Sequence, residues 1–220
     1  MTECTCHILA GNNQDTITDC MESAVRPGLF SQIIVALDTR ARDATGALLR
    51  YYADNYSNVK LFGYRWRDPA DFSAVRNAEI GITRTPYAFW LDSDEILKKP
   101  EQLHSMLAGG HGQAFQMWVR SPVGGGQFHD MFQPRLFPVR PGVGFECPVF
   151  ERLDWSLRRE CISIEPTHHD PIWHPGYLDT ISLEAKNKRN MRIMKKYLRE
   201  HKTNDSQREH ILTQYNRMKE

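Results

Sequence analysis

The sequence predicts an α/β fold in which a mostly parallel sheet is flanked by helices and followed by a helical C-terminal extension. Three observations carry this. Up to Pro100, short apolar runs alternate with amphipathic stretches. Several of the runs end in Gly, Asn or Asp, residues suited to a ligand-binding sheet edge. From Leu178 onward the apolar spacing is helical and the chain is basic. A βαβαβαβ alternation argues for parallel strands joined by right-handed crossovers.

"TCHILAG" reads as the first strand, and "TITDCMESAV" sets Ile17, Met21, Ala24 and Val25 on one helical face, stopped by Pro27 and Gly28. "SQIIVALD" is the second strand, "ATGALLRYYADN" a helix and "NVKLFGYRW" the third strand. "DFSAVRNAEIGI" is a helix with Phe72, Val75, Glu79 and Ile82 at three- and four-residue intervals, and "YAFWLD" is the fourth strand. Beyond Pro100, "PEQLHSMLAGG" reads as a helix. "QAFQMWVRSPV" and "QPRLFPVRPGVGFECPVFERL" read as strands broken by Pro and Gly. Gly124-Gly125-Gly126 fits either a mobile loop beside a substrate or a plain hairpin turn. The extension places Ile181, Ala185, Met191, Met194 and Leu198 near one face, and a second helix covers 206–218. The chain thus divides into an α/β domain over 1–177 and a helical extension over 178–220.

With 220 residues, 40% apolar and 25% charged, the composition is that of a globular chain with ample core. A net charge of +1 supplies no field for nucleic acid. Five cysteines without a regular framework fit a reducing, cytoplasmic compartment. Cys4, Cys6 and His7 cluster, but their spacing suits a strand better than a zinc site. No apolar run reaches membrane-spanning length, and Met1 opens onto polar residues rather than a signal peptide.

In open sheets of this kind, ligands sit outside the carboxyl ends of the strands. Three predicted strands end there in Gly11-Asn12-Asn13, in Asp38 and in Asp92-Ser93-Asp94. "FWLDSDEIL" packs Asp92, Asp94 and Glu95 into four positions. In an extended segment alternate side chains share a face, so Asp92 and Asp94 point the same way. Carboxylate oxygens suit Mg²⁺ or Mn²⁺, and the natural partner of such an ion is a diphosphate. The plain alternative is a solvated turn that caps a helix.

"IVALDTRARDAT", "DFSAVRN", "FWLDSDEIL", "RLF", "FERL" and "WHPGY…KNKRN" occur in that order. Together they resemble the bacterial and phage branch of family 2 glycosyltransferases, which includes enzymes of lipopolysaccharide core synthesis. The resemblance implies a GT-A fold, a nucleotide-diphosphate sugar donor (UDP-sugar above all), Mn²⁺ or Mg²⁺, and a glycan, lipid-linked or other hydroxyl acceptor. It implies Asp38 and the backbone at Ala10 and Gly11 beside base and ribose, and Arg76 facing the nucleotide with Asn77 supporting its helix. It implies Asp92 at the ribose or the metal's water, Asp94 and His174 on the metal, and Glu151 as general base. His168 or His169 are alternatives to His174. Asp38 also suits a helix cap, and Glu151 also suits a salt bridge to Arg152 or Arg135. Two departures stand out: Phe150 replaces the histidine of the family's H-E pair, and Arg40 and Arg42 occupy positions where small residues are common. The implied reaction is inverting hexose transfer with one base, whereas a glycosidase needs two carboxylates flanking the bond. Competing readings are a silent nucleotide-sugar-binding module and an aspartate-nucleophile phosphatase, although the latter's D-x-D follows a first strand rather than a fourth. "KNKRNMRIMKKYLR" reads as a solvated helix face or as a docking surface for the inner face of an anionic membrane.

Overall fold

The computed structural model describes residues 3–67, 70–109, 112–167, 172–175, 180–201 and 205–219. Its first half follows the predicted alternation: β1 (Cys4–Ala10), α1 (Ile17–Val25), β2 (Gln32–Asp38), α2 (Thr45–Asn55), β3 (Val59–Tyr64), α3 (Phe72–Ile82) and β4 (Tyr87–Asp92). After it come β5 (Ile96–Leu97), α4 (Pro100–Gly109), the hairpin of β6 (Ala114–Gly124) and β7 (Gln127–Pro138), and α5 (Asp154–Arg159). The chain closes with β8 (Ile164–Pro166), β9 (Ile172–Trp173), α6 (Thr180–Glu200) and α7 (Ser206–Arg217).

The nine strands form one sheet ordered β3-β2-β1-β4-β7-β6-β9-β5, with β8 beside β6. β3, β2, β1 and β4 run parallel. β7 then joins β4 antiparallel and β6 joins β7 antiparallel, so the sheet is mixed in its second half. Gly125 and Gly126, at φ +58° and +74°, make the two-residue turn between β6 and β7. Positive φ at both central positions is the hairpin turn whose twist matches its strands, so the glycine run forms the plain turn.

The larger core lies on one face, where α1 contributes Ile17, Met21 and Ala24 and the strands contribute Cys6, Ile8, Ile33, Val35 and Phe89. Cys4, Cys6 and His7 are all buried within β1, as a strand reading of that segment requires. The opposite face carries Trp90, Phe137, Phe145 and Leu157. The predicted apolar stripe of α3 is only partly realised: Val75 and Glu79 are buried, but so is Arg76, whereas Ile82 is 46% exposed. A charged residue takes the inward place because partners await it there. The segment "PGVGFECPVFERL" is not a strand either. It is a loop closed by an antiparallel bridge between Glu146 and Arg152, with Cys147 and Phe150 at φ +70° and +56°. The extension packs back onto this loop, with Ile193, Met194 and Ile211 in one cluster with Cys147 and Val149. Among the described residues no helix is long and apolar enough to cross a membrane.

One buried ion pair fixes the turn after β4. Glu95 and Arg135 are each 1% exposed and meet in a fork of 2.6 and 2.8 Å, and Glu95 Oε2 also accepts the Asp92 N–H at 2.8 Å. The Arg135 guanidinium lies 3.5 Å from the Trp90 ring centroid and donates to the Trp90 carbonyl. Removing one partner strands a buried charge, so Glu95→Gln should cost about 3–5 kcal/mol in urea unfolding. Replacing both together, Glu95→Leu with Arg135→Met, should recover most of that. A single-variant loss under about 1 kcal/mol would show that the pair does not hold the turn.

Glu79 makes a second testable case. It is fully buried, and burial drives its pKa up to about 8 against the charge of Arg76 and the backbone N–H groups of Ala36 and Ile8. Its protonated form is therefore favoured by folding. The stability this confers is full below the unfolded value of 4.5 and is lost as pH rises through about 8. Glu79→Gln should flatten that fall, read from urea midpoints at pH about 5 and about 9. An equal fall in the variant and the wild-type chain would place the titration elsewhere.

Candidate active site

A cavity of about 1280 Å³ opens at the carboxyl ends of β1, β2 and β4. Gly11, Asn12 and Asn13 line it from β1, Asp38 from β2, and Asp92 and Asp94 from β4. Its far side is built by Arg76, by the loop carrying Glu151, and by α6.

Arg76 organises the centre. Nearly enclosed, it donates from Nη2 to Asp92 Oδ1 at 2.6 Å and from Nε to Glu151 Oε1 at 3.2 Å. Its guanidinium stands 4.1 Å from the Trp90 ring centroid and 5.3 Å from that of Phe145. Burial disfavours the cation, but the two carboxylates outweigh this and hold it charged. Arg76 thus pairs with Asp92 and Glu151 in the cavity wall, while its buried Nη1 has no hydrogen-bond partner among the described residues. Asn77 does more than support its helix. It exchanges two hydrogen bonds with the Phe145 backbone, 2.9 and 2.8 Å, and so pins the loop that leads to Glu151. Gly144 permits that clamp, since a Cβ there would stand 2.8 Å from Asn77 Oδ1.

Glu151 pairs with Arg76, not with Arg152 or Arg135: Arg152 forks onto Asp154 and Arg135 onto Glu95. It follows Phe150, whose positive φ is an uncommon conformation for a bulky residue and marks local strain. Burial raises the Glu151 pKa above its ordinary value, against the charge of Arg76.

The alternation argument for Asp92 and Asp94 does not describe the observed backbone. β4 ends at Asp92, and the Glu95 N–H donates to the Asp92 carbonyl, so Asp94 sits within a turn. The two carboxylates reach one cavity with separate partners. Asp94 Oδ2 lies 3.3 Å from His174 Nε2 and 2.9 Å from Lys186 Nζ. Burial pushes Asp94 up, but the hydrogen bonds and charges of His174 and Lys186 outweigh it and hold it well below the usual carboxylate range. For His174, burial lowers the pKa while Asp94, then Glu95 and Asp92, raise it further, leaving it above the ordinary histidine value. His168 and His169 lie outside the described residues.

Asp38 accepts from Arg40 through backbone and guanidinium at 3.0 to 3.2 Å. It does not cap α2; Asp43 instead accepts the Thr45 N–H there. Gly11 donates its N–H to Asn13 Oδ1, whereas Ala10 is fully buried just behind the cavity wall. Asn13 and Thr45 are tied in turn, Asn13 N–H to Thr45 Oγ1 at 2.7 Å.

A divalent cation fits this site in a limited sense. Among the described residues no group of three or more His, Cys, Asp and Glu gathers to hold a metal alone. Asp94 and His174 nevertheless converge, and the Lys186 ammonium already stands as a cation on the Asp94 oxygen. Mg²⁺ and Mn²⁺ commonly take only one or two protein ligands and complete their shell with phosphate and water. The sequence reading missed Lys186 and Arg189 as cavity residues. The signals were their place in the "KNKRN" motif and their three-residue spacing, which puts both on one helix face.

Comparison with known proteins places these features in context. A search of curated proteins found no match. In fold, the chain is similar to S. aureus TarS 1–349 (TM-score 0.63, 13% identity), covering 99% of this chain and 71% of that one. It spans 43% of a longer TarS chain. TarS 1–349 in complex with UDP-GlcNAc aligns at TM-score 0.64 and 12% identity over 99% of this chain and 72% of the other. The mannosyltransferase PcManGT from Pyrobaculum calidifontis, in complex with GDP-Man and Mn²⁺, aligns at 0.61 and 12% over 90% and 64%. The fold is thus GT-A-like. Residues 5–152 match the family described as Glycosyl transferase family 2, and the chain belongs to that family of glycosyltransferases.

Proposed function

We propose that this chain transfers a hexose from a nucleoside-diphosphate sugar, most simply a UDP-sugar, to an acceptor hydroxyl with inversion. The observation that carries the reading is the single cavity in which Asp38, Asp92, Asp94 and Glu151 meet at the carboxyl edge of the sheet. Solved neighbours hold UDP-GlcNAc, or GDP-Man with Mn²⁺, which supports a nucleotide-sugar donor. In this reading Asp38 and the backbone at Gly11 take the base and ribose, and Asp92 takes the ribose or ordered water. Asp94 and His174 would hold Mn²⁺ or Mg²⁺, which when bound neutralises the charge gained by the leaving diphosphate.

Glu151 acts on the other substrate. Its carboxylate accepts the acceptor hydroxyl proton while that oxygen bonds to the anomeric carbon. The electron pair of the breaking carbon–oxygen bond departs with the diphosphate. A buried carboxylate with a raised pKa is a better base than an exposed one, because catalysis is strongest when the base titrates near working pH. Arg76 holds Glu151 in place through Oε1, and its charge offsets only part of the rise that burial gives. If the acceptor is lipid-linked, the outward α6 residues Lys195 and Arg199 would face an anionic surface.

Glu151→Gln should lower turnover by ~10²–10⁴-fold with donor affinity nearly unchanged. Turnover should rise with pH through a midpoint above the ordinary carboxylate value, because the base works deprotonated, and this limb should vanish in the variant. Near-normal transfer by Glu151→Gln would send the search for the base elsewhere. Donor binding without any transfer by the wild-type chain would favour the silent binding module.

Asp94→Asn should abolish Mn²⁺-dependent thermal stabilisation by a UDP-sugar, since only a ligand of the native state raises the melting temperature. His174→Ala should weaken Mn²⁺ affinity in calorimetry. Undiminished metal and donor binding in both variants would remove these residues from the donor site.

A further inference from the structure

The basic helix α6 does not present all of its charge to solvent. Lys186 and Arg189 both line the cavity, near the anchored stretch of α6 where Ile193 and Met194 pack against the loop cluster. The Lys186 side chain, 35% exposed, rests on Asp94 Oδ2, the oxygen that His174 also approaches. Arg189 is exposed; its guanidinium stands 4.8 Å from the Phe72 ring centroid and donates to Asn190 Oδ1 within its own helix, with no ion pair among the described residues. Neither cation is locked in a buried fork.

The other cavity cations are differently placed. Arg76 pairs with Asp92 and Glu151, Arg40 with Asp38, Arg135 with Glu95, Arg152 with Asp154 and Lys188 with Glu184, while Arg67 and Arg192 line the wall as well. Most of that positive charge is thus already engaged by carboxylates. A metal ion taking Asp94 would also displace Lys186 from its oxygen. The displaced ammonium, on a flexible stem, and the planar donor fork of Arg189 are suited to phosphate oxygens.

From this geometry, and resting on the donor-site reading above, we propose that Lys186 and Arg189 form a cationic subsite on α6 for the diphosphate of the donor. Lys186, which contacts Asp94 in this structure, would turn to the diphosphate when donor binds.

The test is calorimetric titration of the full chain with UDP and GDP in EDTA, then with Mn²⁺. The wild-type chain should bind the preferred nucleotide without metal, more weakly as salt rises. Lys186→Gln and Arg189→Gln should each lower that metal-free affinity about 10-fold, the scale of a charge-assisted hydrogen bond. Lys186→Arg should restore it, and Lys195→Gln, which removes the same charge from an exposed position on the same helix, should leave it alone. Mn²⁺ alone should bind Lys186→Gln more tightly than the wild-type chain, because its rival at Asp94 is gone. Unchanged metal-free affinity in both Gln variants, or a wild-type chain that binds nucleotide only with Mn²⁺, overturns the subsite and leaves the donor site standing. A wild-type chain that binds neither nucleotide under either condition overturns both.

Discussion

Asp92, Asp94, Glu95 and Glu151 crowd one edge of the sheet, and carboxylates that close stay ionised and ordered only if cations are built in beside them. Each has its own. Glu95 takes Arg135 from β7, Asp92 and Glu151 share Arg76 from α3, and Asp94 takes Lys186 from α6 with His174. Trp90 lies under both arginines, at 4.1 and 3.5 Å from its centroid. The rest of the architecture follows from that constraint. α3 must bury a charge, β7 must reach the turn after β4, and α6 must fold back over the cavity.

The same constraint separates the chemistry of the carboxylates. Asp94 is held low by adjacent positive groups despite its burial, as its proposed role of cation ligand requires. Glu151, desolvated and sharing its arginine with Asp92, is held high, as its proposed role of base requires. Carboxylates in one cavity pushed apart by their surroundings are a recurrent basis for distinct acid–base roles. Glu95 belongs to neither group, because its charge is consumed in holding the turn that presents Asp92 and Asp94.

The helical extension is coupled to the site through packing. Ile193, Met194 and Ile211 share a cluster with Cys147 and Val149, within the loop whose strained Phe150 precedes Glu151. A positive φ at a bulky residue persists only where its surroundings over-determine it. Asn77 clamps one end of that loop, the Glu146–Arg152 bridge closes it, and α6 and α7 cover it. The helices that close the cavity are thus the ones that steady its proposed base.

The sequence by itself determined the strands and helices up to Asp92, because apolar periodicity is a local property and the parallel half of the sheet obeys it. It determined the edge on which Asp38, Asp92 and Asp94 would gather, because strand direction fixes where the carboxyl ends lie. Only the tertiary structure decided the partners. Arg76 lies 75 residues from Glu151 and Lys186 lies 92 from Asp94, and no local spacing encodes pairings at that range. Nor does periodicity reveal a buried arginine on α3, the turn that displaces Asp94 from the strand, or the loop at 146–152 where a strand was expected. Those features exist because charge must be compensated in three dimensions, and the compensating groups come from whichever segments the fold brings to that edge.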